Sequence, residues 1–382
     1  MRTERKPIRV AMLIQEYAPI IGGGQTQLAA QADVLAGLGV DVPVLTRRWR
    51  EELPPFEQVG PAAVYRLPAT GPKGIAAIRY ILSAAWMIGK LRPDVLHAHE
   101  LLSPTSAAIL GKWLFRRPIV ATVLGGGSLG DLKKIQRGRL GRLRTLIVLG
   151  SVDLFIVISD EIDRELEGLA VPASKRLRIP NGVNTQRFAP PTADEKARLR
   201  EELCLPDGKL AVFTGRLERE KQVDHLLAVW PQLRQQVPDA QLLILGTGSL
   251  EAALREQAPE GTHFLGGKSD VAPYLRAADV FVLPSSREGL SVSMLEAMAC
   301  GLPVLVTRVG GAADVISDQE SGWLIPPGDD AALLDGLANL LKDPEVCRSL
   351  GSRARERVVE RYAVQRLGVQ LREAYEGLIQ KS

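Results

Sequence analysis

The amino-acid sequence predicts an α/β protein built from two Rossmann-like, doubly wound domains. Its 382 residues exceed the roughly 250 to 300 residues at which a single hydrophobic core usually stops growing. Short apolar segments alternate with segments of helical length, which is typical of parallel sheets covered by helices on both faces. This alternation is interrupted once, where an Asn-Gly turn and several prolines occupy residues 180–191.

The first half of the chain contains seven apolar segments that we predict to be strands. They are at 8–14, 40–46, 63–67, 94–99, 118–124, 155–159 and 176–180. The intervening segments have helical length and periodicity. We predict helices at about 25–38, 75–91, 105–115 and from 161 onward.

The second half repeats the pattern. We predict strands at 209–215, 240–246, 263–266, 281–283 and 304–306, and helices at 223–236, from 250, at 271–277 and at 290–299. The last residues, 364–382, are amphipathic at helical spacing. We therefore predict domains at 1–186 and 187–363, followed by a C-terminal helix.

An acidic loop follows the predicted strand at 281–283. Glu288 lies in this loop, and Glu296 follows eight residues later in the predicted helix 290–299. Parallel sheets bind ligands at the carboxyl ends of their strands, next to helix N-termini. In a helix the spacing would correspond to about 12 Å along the axis, so each carboxylate could bind one end of an elongated ligand.

Two cations follow the predicted strand at 209–215, on the same side of the sheet. Arg216 and Lys221 lie five residues apart and could converge on a diphosphate. The alternative is a solvated basic loop. No Asp-x-Asp triplet occurs in the chain, so we expect these cations and a helix N-terminus, rather than a metal ion, to stabilise charge on a departing diphosphate.

Glycines follow the first predicted strand and would let its turn approach a ligand closely. Gly22, Gly23 and Gly24 precede a predicted helix, but Gln27 stands where a dinucleotide fingerprint requires glycine. The segment at 125–130 matches that fingerprint after a later strand, without the expected acidic residue. We therefore do not predict a nicotinamide dehydrogenase.

His97 and His99 share one face of the strand at 94–99. They could ligate a metal, but no third ligand is evident. His99 could instead line a ligand cleft, or be an ordinary histidine at a strand end. The cysteines Cys204, Cys300 and Cys347 lack metal-ligand spacing and are expected to be free thiols.

Residues 112–144 contain nine Lys and Arg residues and one carboxylate, Asp131, although the net charge of the chain is only +4. This segment could lie on an anionic membrane surface, hold a phosphorylated acceptor, or form a solvated helix face. Aromatic residues are only 5% of the chain, which argues against nucleic-acid binding. We found no secretion signal and no segment of membrane-spanning length, and we expect a cytoplasmic protein.

Several segments resemble the family-4 retaining glycosyltransferases of GT-B fold (glycosyl transferases group 1). They are PIIGGGQTQ, DVLHAH, ISDEI and IPNGVNTQRFAP in the first half, and GRLEREK, LILGTGSL, FLGGKSDVAPYLRAADVFVLPS, REGLSVSMLEAMACGLPVL and GGAADVI in the second. The resemblance covers nearly the whole chain. It implies two Rossmann-like domains that face each other across a cleft, with the C-terminal helix crossing back to the first domain.

The resemblance also implies roles for individual residues. Arg216 and Lys221 would bind the donor diphosphate, and Glu288 the hydroxyls of the transferred sugar. Glu296 would bind the ribose, and the backbone near Lys268 the base. The resemblance, together with the expected position of His99 in the cleft, predicts a nucleotide-sugar site. Its residues are Glu296, Lys268, Gly289, Leu290, Ser291, Val292, Gly22, Gly23 and His99.

One position departs from the family pattern. Leu124 precedes Gly125 where many members have a histidine that would contact the donor sugar. We expect a retaining, metal-independent transferase that needs no cofactor and moves a hexose-type sugar from a nucleotide sugar, UDP-linked, to a glycan or lipid-linked acceptor. The alternative is a non-catalytic nucleotide-sugar-binding protein of the same fold.

Overall fold

The computed structural model describes residues 7–20, 22–127, 130–138 and 140–381. The chain divides into two compact units. The first consists of Met1–Pro180 with Val364–Ser382, and the second of Asn181–Ala363. The division falls slightly before residue 186, where the sequence pattern placed it, and the C-terminal segment belongs to the first unit.

The first unit contains a mostly parallel sheet with helices. Its strands are β1 (Ile8–Leu13), β2 (Val40–Asp41), β3 (Pro43–Arg48), β4 (Phe56–Val59), β5 (Ala62–Pro68), β6 (Val95–His99), β7 (Ile119–Val123), β8 (Leu154–Val157) and β9 (Arg176–Arg178). Its helices up to the division are α1 (Gly23–Gly37), α2 (Lys73–Leu91), α3 (Ser103–Phe115), α4 (Asp131–Gln136), α5 (Gly141–Ser151) and α6 (Asp160–Gly168).

The strand order fixes which helices share a face of this sheet. The order is β4-β5-β3-β1-β6-β7-β8-β9, with β2 beside β1, and β4 is antiparallel to β5. The connections from β5 to β6, from β6 to β7 and from β7 to β8 all run in the same direction across the sheet. Because such crossovers are right-handed, α2, α3 and α5 cover one face, and α1 covers the other.

The second unit is a parallel sheet in the order β12-β11-β10-β13-β14-β15. Its strands are β10 (Lys209–Thr214), β11 (Ala240–Leu245), β12 (Thr262–Gly266), β13 (Val280–Leu283), β14 (Val304–Thr307) and β15 (Trp323–Ile325). Its helices are α7 (Ala193–Glu202), α8 (Val223–Gln236), α9 (Glu251–Glu256), α10 (Ala272–Ala277), α11 (Val292–Ala299), α12 (Ala312–Val315), α13 (Asp330–Lys342) and α14 (Pro344–Arg361).

The C-terminal helix α15 (Val364–Lys381) packs on the first unit. Its Leu371 and Tyr375 belong to the same buried cluster as residues of β1 and α1. A Cβ on Gly368 would lie 2.4 Å from a methyl carbon of Val34, so glycine permits the close contact between α15 and α1. The periodicity of this segment therefore predicted the helix, and tertiary packing shows which face is buried.

The structure differs from the sequence prediction mainly at helix starts and in polar regions. The predicted starts of α1, α2 and α3 were two residues late, because their first turns contain residues such as Gly23 or Lys73 that resemble loop. In the second unit the predicted starts of α8 to α11 were exact or one to two residues early. The pattern did not predict the helices α4, α5, α7, α12, α13 and α14, or the short strands β4 and β15. The sequence pattern predicted no segment of membrane-spanning length. Helix α2 is nevertheless long and apolar enough to cross a membrane, by length and composition only.

Candidate active site

The loops after β10 and β13 lie at the topological switch point of the second unit. These two strands are neighbours, and the chain leaves them in opposite directions, toward β11 and toward β14. In open parallel sheets this arrangement leaves a crevice at the carboxyl edge, where ligands bind. The predicted residues Arg216, Lys221, Glu288 and Gly289 all lie in these two loops.

Lys221 and Glu288 form an ion pair that joins the two loops. Both side chains are largely buried, each with 15% of its surface exposed. The hydroxyl of Ser285 donates to the same carboxylate oxygen of Glu288 at 2.8 Å, and Thr307 donates to the carbonyl of Ser285. Neighbouring strands therefore fix the position of Glu288, and its carboxylate can accept hydrogen bonds from sugar hydroxyls.

Arg216 is more exposed and has a different partner. Its guanidinium donates to the carboxylate of Glu220 at 3.0 Å. The carbonyl of Glu220 accepts bonds from the backbone N–H of Ser286 at 2.8 Å and from its hydroxyl at 3.2 Å. Glu220 thus connects the two loops. Neither Ser285 nor Glu220 was predicted from the sequence, although an acidic residue between two cations was a signal for Glu220.

Glycine allows a third loop, after β14, to approach the acidic loop. Gly310 has a left-handed backbone, with φ of +54°, and a Cβ there would lie 2.3 Å from the carbonyl oxygen of Glu288 and 2.5 Å from that of Gly289. The N–H of Gly311 donates to the carbonyl of Gly289 at 2.6 Å. The backbone of Glu288 and Gly289 is therefore held by a contact that tolerates no side chain.

Helix α11 begins at Val292 rather than at Leu290. The side chain of Ser291 accepts a bond from the N–H of Met294 at 3.2 Å and caps the helix. Leu290 lies before this cap, and its carbonyl accepts from Asn181 at 2.7 Å. Glu288 therefore lies outside the helix, and the predicted distance of about 12 Å, which assumed helix between Glu288 and Glu296, does not apply because helical rise holds only for the steps beyond Val292.

Glu296 is almost fully buried within the second unit, with 7% of its surface exposed. Burial raises the pKa of its carboxyl group to about 8, an effect that Arg187 opposes and Asp270 reinforces. Its carboxyl group is therefore mostly protonated at neutral pH and can donate as well as accept a hydrogen bond.

Lys268 follows β12, the edge strand of this sheet. Its ammonium group lies 5.6 Å from the centre of the Tyr274 ring. Gly246 and Gly248, after β11, pack directly against the backbone of the loop that contains Arg216, since a Cβ on either would lie within 2.3 Å of a carbonyl oxygen of Gly215 or Leu217. The loops after β10, β11 and β12 therefore follow one another along the carboxyl edge.

In the first unit, Gly22 and Gly23 lie at the N-terminus of α1, after β1. Gly22 caps the helix with an extended backbone, and Gly23 is its first residue. A Cβ on Gly24 would lie 3.1 Å from a methyl carbon of Leu124. Leu124 therefore lies beside this glycine turn, at the position where the family pattern expects histidine. Ile21, Ser128 and Leu129 lie outside the described residues.

His99 does not line an open site. Its ring is fully buried and stacks on that of His97 at 4.3 Å between centroids. Neither ring nitrogen has a hydrogen-bond partner among the described residues, and burial lowers its pKa to about 3. His97 bonds to the hydroxyls of Thr122 and Tyr375, both at 2.7 Å. The pair has a structural role, and the metal interpretation gains no support from the described residues, which contain no cluster of three potential ligands.

Two acidic residues at the carboxyl edge of the first sheet were not predicted as site residues. Glu100 follows β6 with a left-handed backbone, at φ of +78°. Burial and the nearby Asp131 raise the pKa of Glu100 to about 7. Asp131 accepts a bond from the N–H of Leu124 at 3.0 Å. The positive φ could not be read from the sequence, but the polar residue directly after a buried strand was a usable signal.

Comparison with known proteins identifies the family. A model described as Glycosyltransferase Family 4 matches residues 21–187, and a model described as Glycosyl transferases group 1 matches residues 195–357. The D-inositol 3-phosphate glycosyltransferase of Acidothermus cellulolyticus is 30% identical over 388 residues, which cover 88% of this chain and 83% of that protein.

Solved structures agree on the fold. Sucrose-phosphate synthase from Thermosynechococcus elongatus has 26% identity and a TM-score of 0.82, over 98% of this chain and all of that one. HepE from Anabaena, solved in complex with UDP-glucose, has 17% identity and a TM-score of 0.79, over 97% of this chain and all of that one. The predicted α/β class with GT-B relatives is confirmed, and the chain belongs to the family-4 glycosyltransferases.

Proposed function

We propose that this glycosyltransferase is a retaining, metal-independent enzyme that transfers a hexose-type sugar from a nucleotide sugar. The observation that carries the proposal is the Lys221–Glu288 pair at the switch point of the second unit, beside the N-terminus of α11. This arrangement places a cation, a carboxylate and helix N–H groups in one crevice. A sugar diphosphate has complementary groups, namely an anionic diphosphate and several hydroxyls.

The proposed mechanism depends on electrostatic stabilisation of the leaving group. Lys221, Arg216 and the free N–H groups of α11 would bind the diphosphate and stabilise the charge that develops as the glycosidic bond breaks. Glu288 would accept hydrogen bonds from the sugar and hold the anomeric carbon in place. The departing phosphate would help to deprotonate the acceptor on the same face, which retains the anomeric configuration.

For the nucleotide we propose UDP, with GDP and ADP as the alternatives. The choice of UDP is supported by the Anabaena protein of the same fold, which was solved in complex with UDP-glucose. Glu296 would bind the ribose hydroxyls, since a protonated carboxyl group can donate to one hydroxyl and accept from another. Lys268, in the loop after β12, would lie near the base, and Gly289, Leu290, Ser291 and Val292 would contact the diphosphate.

We propose that the acceptor is a glycan or a lipid-linked molecule. We also propose that transfer takes place in the cytoplasm, at the inner face of the cell membrane. The basic segment 112–144 supports this location through its excess of positive charge. Its Arg139 lies outside the described residues. We further propose that Gly22, Gly23 and Leu124 of the first unit contribute to donor and acceptor binding.

The decisive experiment combines ligand binding with turnover. In a thermal-shift screen with UDP, GDP, ADP and their sugars, we expect UDP and a UDP-sugar to raise the unfolding midpoint, because a ligand that binds only the native state stabilises it. Turnover of the same sugars with candidate acceptors should release free UDP. Binding without release under any acceptor would favour the alternative, a non-catalytic nucleotide-sugar-binding protein.

A further inference from the structure

Helix α2 of the first unit is apolar on two opposite sides. Its inner side packs into the protein, with Tyr80 and Ile88 fully buried. Its outer side exposes Ile78, Leu82 and Trp86, each by more than half, and Trp86 by 65%. These residues are spaced four apart and form one stripe. A helix on the surface of a globular protein normally has a polar outer face, so this stripe requires an explanation.

Helix α5 exposes a second apolar stripe. Leu143, Leu146 and Ile147 lie on one side of the helix, and Leu146 is 70% exposed. The opposite side carries the buried Val148 and Thr145. Like α2, this helix therefore presents large apolar side chains to solvent along its length.

The two stripes belong to one helix layer. Helices α2, α3 and α5 cover the same face of the sheet, and α3 contacts both of the others. At the end of α3, Phe115 packs against Gly89 of α2, where an added Cβ would lie 2.6 Å from its ring. The neighbouring Trp113 is 65% exposed. We call the exposed apolar residues of α2, α5 and the end of α3 the apolar helix face.

Positive charge accompanies this face. Helices α2, α3, α4 and α5 together contain eight Lys and Arg residues and one carboxylate, Asp131. Asp131 is buried, so it contributes little negative charge to the surface. Helix α6, next along the layer, contains five carboxylates. Two of the eight cations are paired with carboxylates, Lys112 with Asp153 and Lys134 with Asp131. The other six lie on α2, α4 and α5, so positive charge remains in excess on this part of the layer.

We propose that the apolar helix face docks onto an anionic lipid bilayer as a peripheral, interfacial contact. Apolar side chains surrounded by cations match the hydrocarbon boundary and negatively charged headgroups of such a surface. The ammonium group of Lys90 lies 5.6 Å from the Trp86 ring, and tryptophan and lysine are residues that anchor proteins at this boundary.

Two other occupants fit the structure less well. A second copy bound through the same face would bring two cationic surfaces together, which is repulsive. Insertion of α2 across the bilayer is compatible with its length and composition, but its inner side forms part of the core of the first unit.

This docking surface rests on the proposed function, because it specifies how the protein would bind the membrane proposed there. It also implies that the acceptor is lipid-linked. The crossover that contains α4 and α5 leaves the first sheet after β7, at the same edge as Leu124 and Gly24. An acceptor held in the bilayer would then approach this edge of the first unit.

The test is flotation of the full chain with vesicles of neutral phosphatidylcholine, with or without about 30% anionic phosphatidylglycerol. We expect binding to the anionic vesicles, weakened by salt. The double variant Trp86→Ser with Leu146→Ser should bind more than about tenfold more weakly. The double variant Arg142→Gln with Arg144→Gln removes two positive charges. It should bind anionic vesicles about fivefold more weakly per charge, which is roughly 25-fold in total.

Matched controls lie on the second unit. Val346→Ser with Val359→Ser removes exposed apolar residues, and Arg198→Gln with Arg348→Gln removes the same net charge. Both should bind vesicles like the wild type. Equal binding by all variants, no preference for anionic vesicles, or a stable dimer that only the Trp86/Leu146 variant disrupts would overturn the proposal. UDP-induced thermal shifts, measured in parallel, separate failure of docking from failure of the donor site.

Discussion

The carboxyl edges of the two sheets hold their acidic residues in contrasting ways. In the second unit, Glu288 is paired with Lys221 and accepts a hydrogen bond from the hydroxyl of Ser285. In the first unit, Glu100 is buried near Asp131, and the pKa of Glu100 is raised to about 7. One edge therefore presents a neutralised ion pair, and the other presents a carboxyl group that is partly protonated at neutral pH.

This difference teaches that the shared fold does not decide the chemistry. Both units are doubly wound, and in both the residues that can bind a ligand follow buried strands. The partners come from neighbouring loops, so each loop sequence determines whether a carboxylate has an ion-pair partner, as Glu288 has in Lys221, or a hydrogen bond from a neutral side chain, as Glu100 has from Gln15. In the second unit a diphosphate could share Lys221 with Glu288, whereas Glu100 has no ion-pair partner of this kind among the described residues.

The largest effect is expected at the ion pair. Replacing Glu288 by alanine should lower the transfer rate by about 1,000-fold or more, because the sugar loses a group that positions it in the transition state. Binding of UDP should largely survive, since Lys221, Arg216 and α11 remain. Turnover measures the first outcome and thermal shift the second.

The exposed Glu260 provides the control for this variant. It pairs with Arg234 at the start of the β12 region, away from the switch point, so Glu260→Gln should turn over normally. A wild-type rate for Glu288→Ala would remove the central residue of the proposed mechanism.

A smaller effect is expected for the nucleotide. Glu296→Ala should weaken UDP binding by about 10- to 100-fold, the range expected when a ligand loses hydrogen bonds to an ionisable group. Titration calorimetry with UDP measures this change directly. Unchanged affinity would show that the ribose does not contact Glu296, and would leave its burial as a structural feature only.

The contact of Gly310 with the acidic loop can be tested by comparing two glycines. Gly310→Ala should destabilise the protein by about 2 to 4 kcal/mol, from the left-handed backbone and the clash with the carbonyls of Glu288 and Gly289. Gly328 has a similar φ, +74°, with no atom near the added Cβ, so Gly328→Ala should cost only about 1 kcal/mol.

Urea unfolding measures both glycine variants, and turnover shows whether the displaced loop also impairs transfer. Only Gly310→Ala should lower the rate. Equal losses of stability in the two variants would mean that the loops after β13 and β14 can move apart at Gly310 without an energetic cost.

The two edges also differ in how their buried carboxyl groups couple stability to pH. A carboxyl group whose pKa is raised in the folded state binds an extra proton there, so stability falls as pH rises from the unfolded pKa to the folded one. Each group contributes at most about 1.4 kcal/mol per pH unit. For Glu100 the window runs from 4.5 to about 7, and for Glu296 from 4.5 to about 8.

Glutamine variants remove these slopes. Relative to the wild type, Glu100→Gln should gain thermal stability as pH rises to 7, and Glu296→Gln should continue to gain up to pH 8. Thermal midpoints across pH 5 to 8 check this. Parallel curves for the wild type and both variants would show that neither carboxyl group titrates in this range.

Several residues of the candidate site could be proposed from the sequence because they follow strands closely. Arg216, Lys221, Glu288 and Glu296 were identified from their positions after apolar segments, and the motif around the last two indicated the family. Their partners could not be predicted in the same way, because the Lys221–Glu288 contact joins residues 67 positions apart. The burial of His99 was also missed, because a position at a strand end suggests a ligand cleft and does not show how closely other segments pack around it.

The sequence by itself determined the α/β class, the two repeats of strand and helix, the family and the candidate site residues. These depend on local periodicity and on short motifs, which are contiguous along the chain. Only the tertiary structure decided that Glu288 is paired, that Gly310 supports its loop and that α2 is apolar on its outer face. The physical reason is that ion pairing, close backbone approach and solvent exposure depend on which distant segments pack together, and this follows from strand order rather than from local pattern.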